Sequence, residues 1–413
     1  MRRLAWMPML VVGMLSLCSC AQWNGLMEMT TPDSKKQATD RWRQVRSQLK
    51  LRLASDQFKV GHIEEAKKFV SEAIQLDPTG QPAYVLMTKI QLEQGETAQA
   101  VETLELAMTY GEESAETNYL QGVLAERYGR FDEALTSYQR AFDLDPLNAH
   151  YLAATAETLV ALDRAAEALT LVRSRWTDFE QNATLRALAG GVYTLLGRHE
   201  DAANAYAQAC RISPDDHTMR RQLANALFQA ERYEEAAREY ETLAASDNVS
   251  AGVLVGLGRC YLELNRPNDA KHILQQAVDK DPARAQAWHW LARTALMIDD
   301  LLTARRAITQ AQQLEPSETE HALLLGYICV RQEDYAASAR LLTSMLDEQS
   351  SDPMALAILA MSHRGLGQEQ EAERCLDKVK QRHPQFRLPA SLLDHASSSE
   401  GKDHQDSGRA RAP

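Results

Sequence analysis

Residues 129–146 read GRFDEALTSYQRAFDLDP, and residues 61–78 read GHIEEAKKFVSEAIQLDP. Each stretch opens on glycine and closes on Asp-Pro. Between these marks the apolar residues keep helical spacing, as in Phe131, Ala134, Leu135, Tyr138, Ala141 and Phe142. Working outward, Pro78, Pro146, Pro214 and Pro282 are each 68 residues apart; Pro316 follows after 34 and Pro384 after another 68. All lie on one 34-residue lattice whose other points are Glu112, Glu180, Asn248 and Ser350, residues that suit loops. A repeat this strict overrides the default of two or three globular domains for a chain of 413 residues.

Further columns fix the register. Twelve residues before each lattice point stand Ala66, Ala100, Ala134, Ala168, Ala202, Ala236, Ala270, Ala304, Ser338 and Ala372. Twenty-four before it stand Ala54, Thr88, Gly122, Ala156, Gly190, Ala224, Gly258, Ala292, Gly326 and Ala360. Small residues in both columns let two helices of one hairpin approach closely. Seventeen before each point is a turn column: Gly61, Gly95, Gly129, Asp163, Gly197, Glu231, Asn265, Asp299, Glu333 and Gly367. There the first helix ends and the chain reverses, which favours residues that tolerate positive φ. Glu231 and Glu333 fit that requirement poorly, so their turns are expected to be built differently. The proline ends the second helix, because the residue before it is pushed out of helical geometry.

These columns resemble the tetratricopeptide repeat, and the two quoted stretches match the second-helix half of that family's pattern. The resemblance covers residues 47–386 as ten repeats. Repeats two, four and six are weaker, lacking the proline, and the fourth has Arg175 where a small residue is usual. It implies an all-α fold, an α-α superhelix of about ten 34-residue helical hairpins in which each repeat touches mainly its neighbours.

The N-terminus reads as a processing signal. Arg2 and Arg3 precede an apolar run over residues 4–17 that is short for a bilayer span. Leu17-Cys18-Ser19-Cys20-Ala21 then resembles the bacterial lipobox, which implies a signal peptide over 1–19 and lipidation of Cys20. A plain signal peptide cut after Ser19 or Ala21 is the alternative. Because Ala21, not aspartate, follows the cysteine, the resemblance implies the outer membrane, facing the periplasm. Residues 20–46 are read as lipidated end and tether running into the first helix, with 21–38 polar. The stretch 387–413 is read as a short cap (Leu388, Leu392, Leu393) followed by a disordered tail without apolar periodicity. Cys210, Cys260, Cys329 and Cys375 are widely separated and expected to be small buried hydrophobes.

No phosphate-binding loop, GxSxG elbow, HExxH or zinc-spaced Cys/His set occurs, so the expectation is a non-enzymatic scaffold without cofactor or metal. The formal charge of −12 argues against a nucleic-acid-binding body. The dense acidic residues are read as solvated helix surface. Trp288 and Trp290 open the first helix of the eighth repeat, and Trp288 is read as a packing residue.

In this family the first helices line an inner surface where peptides commonly lie. The column that faces inward reads Ser55, Lys89, Val123, Glu157, Gly191, Asn225, Arg259, Arg293, Tyr327 and Met361. Arg221 and His289 stand one turn earlier in repeats six and eight, and Arg331 and Arg364 lie further along neighbouring inner helices. This row loosely resembles the clamp with which some members grip a peptide's C-terminal carboxylate, although the usual lysines are absent. It implies a protein partner with an acidic or C-terminal segment, since arginine forks suit carboxylates. The competing reading pairs these arginines with acidic neighbours such as Glu263. The chain is similar to repeat lipoproteins of pilus assembly, secretion and exopolysaccharide export; in the last case the groove would carry polysaccharide.

Overall fold

A computed structural model describes residues 32–246, 248–346 and 352–386. Cys20, the signal peptide, the start of the tether, the cap and the tail lie outside the described residues. Among those described there are twenty helices and no strand. They run α1 (Pro32–Lys59), α2 (Ile63–Leu76), α3 (Gln81–Glu93), α4 (Thr97–Tyr110), α5 (Ala115–Arg127), α6 (Phe131–Leu144), α7 (Ala149–Ala161), α8 (Ala165–Ser174), α9 (Ala183–Leu195) and α10 (His199–Ile212). The remainder are α11 (His217–Gln229), α12 (Tyr233–Ala244), α13 (Ala251–Glu263), α14 (Pro267–Lys280), α15 (Ala285–Met297), α16 (Leu301–Leu314), α17 (Thr319–Arg331), α18 (Tyr335–Met345), α19 (Pro353–Gly365) and α20 (Glu369–Arg382). Odd-numbered helices open each repeat and even-numbered helices close it. The helices group into two compact units, one ending at Glu180 and the other beginning at Gln181.

The lattice prolines act as expected. Every second helix that precedes one has 14 residues and stops two residues short of it, as α2 does at Leu76 before Pro78. Without the proline, α8 keeps 10 residues, α12 keeps 12 and α18 keeps 11, while α4 still reaches 14. In α8, Arg175 takes the place of the small residue that would continue the helix. Its guanidinium instead covers the Phe142 ring at 5.3 Å.

All ten turns are built alike, which corrects the expectation for Glu231 and Glu333. Their φ values are 59° and 61°, like those of Asp163, Asn265 and Asp299, and the five glycines of the column also have positive φ. The next residue's N–H closes back on the carbonyl five positions earlier in every case, for example His62 to Gln57 at 2.9 Å, Arg232 to Leu227 at 2.9 Å and Asp334 to Cys329 at 2.9 Å. This six-to-one bond caps the helix and outweighs the strain of a left-handed glutamate.

The small columns form the hairpin seams. Every residue of the Ala66–Ala372 column is fully buried, Ser338 included. Where the facing column has glycine, it accommodates a large side chain. A Cβ on Gly122 would lie 2.5 Å from the Tyr138 ring, and one on Gly258 2.6 Å from Leu274.

Successive repeats are joined by a recurring charge device. Lys67 reaches Glu96 at 2.8 Å, Lys271 reaches Asp300 at 2.6 Å and Arg305 reaches Asp334 at 2.8 Å, each across 29 residues. At five other repeats the acceptor position holds arginine instead. It turns to an acid three residues on in its own helix, as Arg130 does to Glu133, Arg164 to Glu167, Arg198 to Asp201, Arg232 to Glu235 and Arg266 to Asp269. One position therefore serves two alternative charge arrangements.

The first helix differs from the rest. It has 28 residues against 13 in each later odd-numbered helix, and helix already begins at Pro32, within the stretch read as tether. Its buried side carries Ser47, whose hydroxyl donates to the Ala73 carbonyl at 2.9 Å, and Ala54. The four described cysteines are free; Cys260, Cys329 and Cys375 are buried and Cys210 half-buried. Burial pushes the Cys260 thiol up to about 12.

Candidate partner-binding site

The arginine row lies wholly in the second unit, on α11, α13, α15, α17 and α19. The 34-residue period puts Asn225, Arg259 and Arg293 at equivalent points of three successive first helices, but the period alone does not say what each side chain meets.

Arg259 is held between two aromatic rings. Its guanidinium carbon stands 4.4 Å from the centre of Phe228 on α11 and 4.9 Å from that of Trp290 on α15. Arg293 stacks on the same indole at 4.6 Å. The result is a ladder, Phe228–Arg259–Trp290–Arg293, across three neighbouring helices. Such cation–aromatic contacts hold a guanidinium in place without neutralising it. Arg259 and Arg293 have no ion-pair partner among the described residues, and the Arg259 Nε is buried without an acceptor. Arg293 is exposed.

Arg221 and Asn225 extend the ladder on α11. Both are exposed. The Tyr240 hydroxyl donates to the Asn225 amide oxygen, which leaves the amide N–H groups for another acceptor. Burial pushes the Tyr240 hydroxyl up to about 12, against a downward pull from Arg259 and Arg221. The phenol therefore stays a neutral donor.

The other residues of the row are engaged elsewhere. Arg331 donates to Asp299 at 2.8 Å, and Arg364 lies 3.8 Å from Glu369. The competing ion-pair reading thus holds for these two arginines, with Asp299 and Glu369 as partners in place of Glu263. His289 is only 6% exposed and faces α17, with its Nε2 3.5 Å from Glu320 and its ring 5.1 Å from that of His321. Burial lowers its pKa, and His321 and Arg293 push the same way while Glu320 opposes them. It is a neutral packing histidine between repeats eight and nine, not a groove residue. Tyr327 packs against the core cluster around Leu342 and Ile358.

Sequence reasoning missed Phe228 and the role of Trp290. Both lie 31 residues from Arg259, one repeat less one helical turn, and that spacing is the signal that could have found them. Trp288 is half-buried, and its Nε1–H donates to the Pro282 carbonyl at 2.8 Å, tying α15 to the preceding loop. Among the described residues no group of three or more potential ligands is placed to hold a metal.

Profiles of the tetratricopeptide repeat match residues 89–149, 119–175, 154–217, 193–252, 228–294, 298–353 and 355–385. A TPR repeat-containing protein of Treponema pallidum is 24% identical over 380 residues, covering 83% of this chain and 46% of its own length. The chain thus spans a little under half of that relative. Among solved structures, YrrB, described as a TPR protein with an unusual peptide-binding site, is 22% identical with a TM-score of 0.34, over 41% of this chain and 88% of its own. PilF of Pseudomonas aeruginosa is 19% identical with a TM-score of 0.44, over 52% of this chain and 97% of its own. With the hairpin columns, the ten like turns and the matched profiles in agreement, the chain belongs to the tetratricopeptide repeat family.

Proposed function

We propose that the chain is a protein-interaction scaffold, tethered by a lipid on Cys20 to the outer membrane and facing the periplasm, that serves a pilus, secretion or other envelope machine. In this reading the ladder on α11, α13 and α15 grips an acidic or C-terminal carboxylate-bearing segment of a partner protein. One observation carries the binding claim: Phe228 and Trp290 hold Arg259, and Trp290 holds Arg293, yet neither arginine has a counter-ion among the described residues, in a chain of net charge −12. A fixed guanidinium with free N–H donors suits a carboxylate better than a flexible one, because less side-chain freedom is lost on binding. Polysaccharide in the same groove is less well supported, since the Trp290 indole is covered by two guanidinium groups and the half-buried Tyr327 packs against the core.

The test uses a fluorescent acidic decapeptide with a free C-terminal carboxylate, alongside its amidated twin. Wild type should bind the free-acid form more tightly, and binding should weaken as salt rises. Arg259→Glu with Arg293→Glu should abolish binding while helical content is kept, because changes in a repeat array stay local. Equal binding by the double variant would defeat the assignment. For the tether, Cys20→Ala should block lipid attachment and leave the precursor uncleaved by the lipoprotein peptidase; identical fractionation of variant and wild type would refute it.

A further inference from the structure

Helix α1 carries two apolar faces. One is the buried side, with Ser47, Leu51, Ala54 and Phe58 against the first hairpin. On the opposite side Trp42, Val45, Leu49 and Leu53 follow one another at helical spacing and are 58%, 65%, 57% and 38% exposed. At about 100° per residue these four side chains fall within one narrow stripe. No other described element covers it. The end of a repeat array ordinarily presents a polar face, because no neighbour buries it.

The charge around the stripe is equally unusual. Between Lys35 and Arg52 the helix carries Lys35, Lys36, Arg41, Arg43, Arg46, Lys50 and Arg52 against the single acid Asp40. The rest of the chain is strongly acidic. On a helical projection Arg43 and Lys50 flank the stripe on one side and Arg41 and Arg52 on the other. The Arg46 guanidinium lies 5.1 Å from the Trp42 ring centre. Only Lys50 is drawn inward, to Glu72 at 2.6 Å, and Arg43 has just the long contact to Asp40 at 3.9 Å.

We infer that α1 docks on an anionic phospholipid surface, with Trp42, Val45 and Leu49 entering the headgroup boundary and the flanking arginines meeting lipid phosphates. An exposed apolar stripe with tryptophan, edged by cations on both sides, is the pattern of a helix lying in a membrane interface. Neighbouring acidic protein surfaces are repelled from such a membrane, which leaves this helix as the chain's point of approach. The inference deepens the tether reading and rests on it for geometry: eleven residues separate Cys20 from Pro32, a reach of at most about 40 Å. A lipid on Cys20 therefore keeps α1 near the bilayer, and α1 supplies a second attachment where a lipid alone would leave the array free to tumble.

The experiment uses the full-length chain with Cys20→Ala, so that lipidation plays no part. It is mixed with phosphatidylcholine vesicles made with and without phosphatidylglycerol, and the bound fraction is measured by co-sedimentation. Binding is expected to require phosphatidylglycerol and to fall with salt. Trp42→Ser with Leu49→Ser, and separately Arg41→Gln with Arg43→Gln and Arg46→Gln, should each weaken it at least tenfold. The apolar leader is common to all these proteins and cannot account for a difference among them. Equal binding by either variant, equal binding without phosphatidylglycerol, or no binding by the parent chain would overturn the proposal. So would a dimer, seen by sedimentation velocity, that the serine substitutions dissociate without changing vesicle binding, since a second copy would then cover the stripe. Failure of lipidation at Cys20 in cells would leave these vesicle results unchanged, so the two readings fail separately.

Discussion

Two adjacent glycines on α9 should respond unequally to the same substitution. Gly190 belongs to the buried column, and an added Cβ would lie 2.9 Å from three atoms of the Tyr206 ring. Gly191 is half-buried, and its Cβ would meet only the Tyr206 hydroxyl, at an ordinary 3.5 Å. Both lie inside the helix, so alanine removes the same backbone entropy at each, a gain of about 1 kcal/mol. At Gly191 nothing opposes that gain. At Gly190 the methyl must displace a ring that is only 7% exposed, and overpacking of this kind costs about 1–3 kcal/mol. Gly191→Ala should therefore stabilise the second unit by about 1 kcal/mol, while Gly190→Ala is neutral or destabilising by up to about 2 kcal/mol. The propensity contribution cancels in the difference, which isolates the seam. Urea unfolding followed at 222 nm, with amide exchange of α9 and α10 as a local readout, measures both. Equal shifts of the same sign would refute the assigned register.

Three further outcomes follow from the same geometry. Glu231→Gly and Glu333→Gly should each stabilise by about 0.5–1 kcal/mol, since relief of a left-handed side chain exceeds the added unfolded-state freedom of glycine; loss of stability in denaturant melts would mean that the side chains contribute something else. Asp300→Ala removes both the cap to the Thr303 N–H at 3.1 Å and the junction with Lys271, and should cost about 1–2 kcal/mol, whereas Arg164→Ala, which loses only an exposed pair, should leave the urea midpoint nearly unchanged. Burial holds the folded pKa of His289 below the ordinary histidine value of about 6.5, so the unfolded chain takes up the proton first; the contribution is present above that pH and is lost as pH falls below it. Urea midpoints should drop as pH falls below about 6.5, and His289→Gln should flatten that slope; an unchanged slope would exclude His289 as the cause.

The hairpins were legible because one residue type per column meets one steric demand. Small residues permit close helix approach, and the proline halts the second helix. The turn column was legible for the same reason, but propensity misjudged Glu231 and Glu333, where a closing backbone bond and the packing of both helices override a local preference. The arginine row was legible as a period and illegible as chemistry. Whether an arginine is free depends on residues brought beside it from other helices. Asp299 neutralises Arg331 from the preceding repeat, while Phe228 and Trp290 hold Arg259 without neutralising it. His289 shares the spacing of Arg221 in the row, yet its side chain turns into the α15–α17 junction. In α1 the stripe is diluted by the buried face opposite it, so only the separation of exposed from buried apolar residues brings it out.

Site-specific photo-crosslinking in cells tests the central claim most directly. A benzophenone amino acid would replace Arg221, at the end of the ladder, or Glu234, on the exposed side of α12. Partner proteins should be captured from position 221 and not from position 234, and the 221 crosslink should vanish when Arg259→Glu and Arg293→Glu are added. Capture from 234 alone, or a 221 crosslink that survives both glutamates, would contradict the ladder as the partner site.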